Sequence, residues 1–155
     1  MTTIVNHPTA QHVIALNCVD MAHLAIENIT GLTALLRRGT NPGPPLAVSE
    51  LYAISNALLR DVDRLDTAFA LWGRLPADRL PKRLERDLQR QADALRHQVD
   101  ALGHAALLAD SGTPPTAGQL AAFVSRLRTL NEALHQALIA ADAASIARQT
   151  AQPQH

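Results

Sequence analysis

A single cysteine, Cys18, stands among the 155 residues. The chain can therefore close no internal disulfide and build no cysteine-rich zinc site. Aromatic side chains are nearly missing: Tyr52, Phe69, Trp72 and Phe123 make up the whole 3%. There is no excess of charge of either sign, since 14 Lys and Arg balance 14 Asp and Glu. That balance argues against a protein that grips nucleic acid or an anionic membrane by bulk charge. No uninterrupted apolar run approaches the roughly 18–20 residues of a spanning helix. The opening residues MTTIVNHPTAQH lack a basic segment followed by an apolar one, so no secretory signal is read and a cytoplasmic protein is expected.

What is present is an apolar fraction of 47%, enough to bury a core and too much for a disordered chain. The length is that of one domain. The basic residues are all Arg except Lys82. With so many Ala and Leu, that points to a GC-rich bacterial genome.

Three segments break the chain: Gly39–Pro45, Gly73–Pro76 with Pro81 beyond, and Ser111–Pro115. Proline lacks the N–H a helix needs and its ring clashes with the preceding turn, so these segments are loops. The four blocks between and around them repeat apolar residues at alternating spacings of three and four, the period of a helix. Helices are expected at about 9–38, 49–73, 78–110 and 117–149, with 150–155 a frayed tail. The expected inward seams run Ile14–Cys18–Met21–Ala25–Asn28–Leu32–Leu35, then Leu51–Ser55–Leu58–Val62–Leu65–Phe69–Trp72, and in the last block Leu120–Val124–Leu127–Asn131–Leu134–Leu138–Ala141. The third block places Leu80, Leu84, Leu88, Ala92, Leu95, Val99, Leu102 and Ala106 inward. Ser49 is an N-cap candidate, Thr116-Ala117-Gly118-Gln119 fits a capping box, and Gly39 and Gly112 stand where left-handed C-caps close helices. Short loops force neighbouring helices to run antiparallel. The expected fold is all-α, one antiparallel up-down-up-down four-helix bundle spanning 1–155.

Chemistry is harder to find. Glu132-x-x-His135 and Asp20-x-x-His23 have the spacing that bundle metal sites use, but Leu134 and Met21 hold the inward positions and turn Glu132, Asp20 and His23 outward. Seams on the second and third helices carry no carboxylate, so no metal ligands are assigned. Gly-x-Ser-x-Gly, the P-loop and Gly-x-Gly-x-x-Gly are all absent, so neither catalytic nor cofactor-binding residues are assigned. Arg74, Arg79, Lys82, Arg83, Arg86 and Arg90 interleave with Glu85, Asp87 and Asp93 and read as a solvated, ion-paired face. It has no aromatics on which bases could stack.

Two features stand out. Asn28, Ser55 and Asn131 take inward positions where Leu is expected, either as a cross-helix polar network that fixes register or as the lining of a small-molecule pocket. The first helix also carries a second apolar stripe, Leu16, Val19 and Ile26, interleaved with His12 and His23. A helix apolar on two faces is expected to press against a partner, most simply a second copy in a two-fold dimer. The function expected is therefore a non-enzymatic interaction module, acting as a homodimer or on a partner protein. The alternatives are a small-molecule-binding bundle and a carboxylate/His metal-binding bundle.

Overall fold

The computed structural model describes residues 10–40, 44–75 and 80–151. Four helices, α1 (Ala10–Arg37), α2 (Val48–Gly73), α3 (Lys82–Asp110) and α4 (Ala117–Ala151), are joined by short connections, with a single 3-10 turn at Arg38–Thr40. Each helix packs on the next, and α4 returns to α1, which closes the ring. This is the antiparallel up-down-up-down bundle that the helical period and short loops imply. The last helix runs to Ala151, so Thr150 and Ala151 are helical and not part of a tail; 152–155 lie outside the described residues.

Local chemistry sets several helix ends. At the start of α4 the Gln119 N–H donates to Thr116 Oγ1 (3.1 Å) and the Thr116 N–H donates to Gln119 Oε1 (2.9 Å). That reciprocal pair is the expected capping box, and it satisfies two donors the first turn leaves unpaired. α3 ends at Gly112 with φ +96°. There Gly112 N–H donates to Ala109 O and Thr113 N–H to Leu108 O, the Schellman pairing that needs a residue free to turn left-handed. Two expectations are corrected. Ser49 lies inside α2, whose N-cap is Ala47 without a side-chain bond. Gly39 is not left-handed; it sits in the 3-10 turn, where an added Cβ would come within 2.9 Å of Leu46 and 3.0 Å of Leu120. The third helix starts at Lys82 rather than near 78; Leu80 and Pro81 precede it.

The core is aliphatic. Leu58, Leu65, Leu95, Leu102, Leu127, Leu134 and Leu138 are fully buried, and the small Ala25, Ala68, Ala92, Ala106 and Ala141 let the helices approach closely between them. The seams of α2, α3 and α4 fall where the sequence places them, with Leu84 only half-buried. The first helix does not obey. Its buried face is Ala15, Cys18, Val19, Ala22, Ala25, Ile26, Ile29, Thr33 and Leu36, while Ile14 and Leu35 are exposed. At 3.6 residues per turn this face is rotated from the expected one by roughly 80°, a little less than one residue. The large Ile14, Leu32 and Leu35 pull a hydrophobicity reading to one side. The interior instead takes the alanines, because α1 packs closely on both neighbours.

Candidate interaction surface

The rotation of α1 dissolves the stripe expected on its outer face. Val19 and Ile26 are 7% and 5% exposed and belong to the core. They do not form an outward surface. Leu16, at 57%, remains exposed. His23 is half-buried rather than turned to solvent and meets His135 of α4 edge to face, with ring centroids 5.7 Å apart. The side chain of His12 lies outside the described residues. Cys18 and Ala25 of the expected seam lie beside Val19 and Ile26 of the expected stripe on one buried face.

The three inward polar residues separate as well. Asn131 Nδ2 donates across to α1, to Ile26 O (3.1 Å) and Thr30 Oγ1 (3.0 Å). Asn28 Nδ2 donates to Asp61 Oδ1 on α2 (3.2 Å). Ser55 is buried on α2 six residues before Asp61, facing Gly103 of α3, and joins neither pair. Asn28, Ser55 and Asn131 therefore form neither one network nor the lining of one pocket. Asp61 is the carboxylate the sequence reading passed over: it is 3% exposed, and Arg64, one turn on, donates to it at 2.7 Å. The visible sign was an Asp–Arg pair at i, i+3 beside the Val62 seam position.

Between α2 and α3 the bridge is ionic. Arg96 donates through Nε to Asp66 Oδ2 (3.1 Å) and through Nη2 to Asp63 Oδ1 (2.6 Å), with a second, shorter contact to Asp66. Its hydrogen bonds to Asp63 and then to Asp66 hold the guanidinium proton more tightly than usual, against the opposing effect of burial. Burial pushes the Cys18 thiol up, so it is a small packed group and not a ready nucleophile. Of the basic stretch, Arg90 pairs with Asp87 at 2.5 Å as an intrahelical ion pair; Arg79 lies outside the described residues.

Three of the four seams are thus crossed by polar or ring contacts: α1–α2 by Asn28 and Asp61, α2–α3 by Arg96, and α1–α4 by Asn131 and the histidine pair. Among the described residues no side-chain hydrogen bond or ion pair crosses α3–α4. That seam opens into a groove of about 460 Å³. Exposed Ala101 and half-buried Ala105 of α3 and exposed Ala122 of α4 line it as a shallow alanine floor, too small to fill the space between two helices. Phe123, Leu108 and Pro114-Pro115 of the connecting loop form apolar walls, and Gln98, His104, Gln119 and Arg126 complete the lining with polar groups. Leu108 is 57% exposed and the adjacent Leu107 is 55% exposed. The arrangement can take an apolar side chain into the alanine floor while polar groups around it stay hydrated.

Among the described residues no three His, Cys, Asp or Glu gather as a metal-holding group, and no helix is long and apolar enough to cross a membrane. No protein-family model, curated protein or solved structure matches the chain.

Proposed function

We propose that the protein is a non-enzymatic helical interaction module that pairs with a second copy of itself through the α3–α4 groove. The observation that carries this reading is the groove's own shape. One patch holds both a depression floored by Ala101, Ala105 and Ala122 and a projecting apolar side chain, Leu108. A two-fold interface uses the same patch on both subunits, so it needs a knob and a hole side by side. Leu108 of each protomer then fills the alanine floor of the other. The zero net charge supports the reading, since two copies do not repel at long range. Sedimentation equilibrium on the wild type and on Leu108→Glu tests it. The wild type is expected to associate towards twice the chain mass with rising concentration, and the variant to stay monomeric. A wild type that remains at one chain mass up to roughly 100 µM, well above the micromolar affinities of weak specific pairs, overturns the pairing.

The groove volume also favours a second reading, an apolar small molecule bound in place of the partner, because drug-sized ligands occupy pockets of about 300–1,000 Å³. In that case the protein sediments as a monomer, and an environment-sensitive apolar dye binds with an affinity that Ala105→Trp abolishes.

A further inference from the structure

The contact between His23 and His135 joins the first and last helices of the bundle, which no loop connects. Imidazole is a common ligand for a transition-metal ion, and here two of them meet across a helix pair. The spacing can be tested. A metal about 2.1 Å from one nitrogen of each ring lies about 3.2 Å from each ring centre, so two ligating rings stand at most ~6.4 Å apart. At a tetrahedral angle they stand ~5.2 Å apart. The observed 5.7 Å falls between these limits, and because the χ2 torsion of histidine is broad, turning a ring out of the edge-to-face arrangement lets one nitrogen of each face a shared ion.

The surroundings add two further observations. Asn131 donates to α1 at Ile26 and Thr30, which sets Glu27 of α1 level with Glu132 of α4. Glu27 is one turn from His23, Glu132 one turn from His135, and both are exposed. Among the described residues no three such groups converge, so water or a swung glutamate completes the coordination. In addition, Asn131 stands one turn before His135 on the same side of α4, and its Oδ1 is buried with no hydrogen-bond partner. A ligating imidazole presents an N–H on its other nitrogen and needs an acceptor for it.

We infer that His23 and His135 form a binding site for a divalent transition-metal ion of the Zn²⁺ class, which clamps α1 to α4. Imidazole ligates through the lone pair of a ring nitrogen and leaves the other nitrogen free to donate a hydrogen bond. The charged groups within two turns are Asp20 and Glu27 on α1 and Arg128, Glu132 and Asp142 on α4. With four acids to one base, they favour a cation.

The test is thermal unfolding of the full chain at pH 7.5 with Zn²⁺ alone, against Mg²⁺ as control. At a free concentration a hundredfold above Kd, Zn²⁺ raises the folding equilibrium constant about 100-fold. The melting temperature then climbs by several degrees with Zn²⁺ and not with Mg²⁺. His23→Gln and His135→Gln each abolish the rise, whereas His97→Gln, whose ring is exposed on α3, keeps it. No rise in the wild type, or an equal rise in both Gln variants, overturns the site. Should those variants fail to fold, histidine ring resonances of the wild type decide. Those of His23 and His135 must shift together and saturate at one Zn²⁺ per chain; shifts confined to other histidines refute the site.

Discussion

Replacing Asn131 with leucine should stabilise the protein, and the reasoning can be followed bond by bond. Asn131 is 6% exposed. Its Nδ2 makes two bonds to α1, while its Oδ1 is buried with none. Leucine has the same number of side-chain heavy atoms, so the swap is close to isosteric. Losing two neutral hydrogen bonds costs about 0.5–1.5 kcal/mol each. Removing an unpaired buried acceptor returns about 1–3 kcal/mol, which roughly cancels that loss. The groups left behind are not orphaned, because Thr30 Oγ1 already donates to Ile26 O at 3.0 Å. Burying the two leucine methyls then contributes about 0.8 kcal/mol each, reduced by whatever strain the new shape introduces. The net expectation is a gain of about 1–2 kcal/mol, which for a domain of this size is roughly 2–8 °C in Tm. Urea unfolding followed by circular dichroism measures it directly. A loss of more than about 1 kcal/mol would refute the reasoning. It would mean that the amide, and not the aliphatic layers around it, holds α4 in register with α1.

Other outcomes follow from the same contacts. Gly39→Ala should cost about 1–3 kcal/mol, because the new methyl meets Leu46 and Leu120 inside van der Waals distance, whereas Gly31→Ala meets nothing within 4 Å and should gain about 0.5–1 kcal/mol of helix stability. Arg96→Met removes a bridge whose Asp63 end is 60% exposed; about 1 kcal/mol of stability should be lost, and less in 1 M salt, as urea unfolding at two ionic strengths will show. Burial raises the Cys18 thiol above its ordinary value of 9.0, so the folded state keeps a proton that the unfolded state gives up. Stability is then undiminished below about pH 9 and falls as pH rises past it, and Cys18→Ala should flatten that alkaline fall in denaturant titrations.

Much of this fold is written in local pattern. The capping box at Thr116 and Gln119 and the turn at Gly112 were legible because each depends on residues within a few positions of one another. The seams of α3 and α4 were legible because Leu and Val recur there at every turn. The α1 face was misplaced for the opposite reason: its interior positions include Ala15, Ala22 and Ala25, which weigh little in any hydrophobicity count, while Ile14, Leu16 and Leu24 project outward. Asp61 was missed because a carboxylate is normally excluded from a core, and its partners, Asn28 and Arg64, come together only once α1 and α2 are in register. The groove left no trace in sequence. It arises from missing volume shared between Ala101 and Ala105 on one helix and Ala122 on another, and only the packing of α3 on α4 aligns those gaps.

Hydroxyl-radical footprinting of side chains as a function of protein concentration tests the central claim most directly. If two copies pair through the α3–α4 groove, modification of Leu107, Leu108 and Phe123 falls as concentration rises, while that of Leu16, Ile139 and Ile146, exposed on α1 and α4, stays constant. Constant labelling of Leu108 and Phe123 across the full concentration range, or protection confined to Leu16, Ile139 and Ile146, would contradict it.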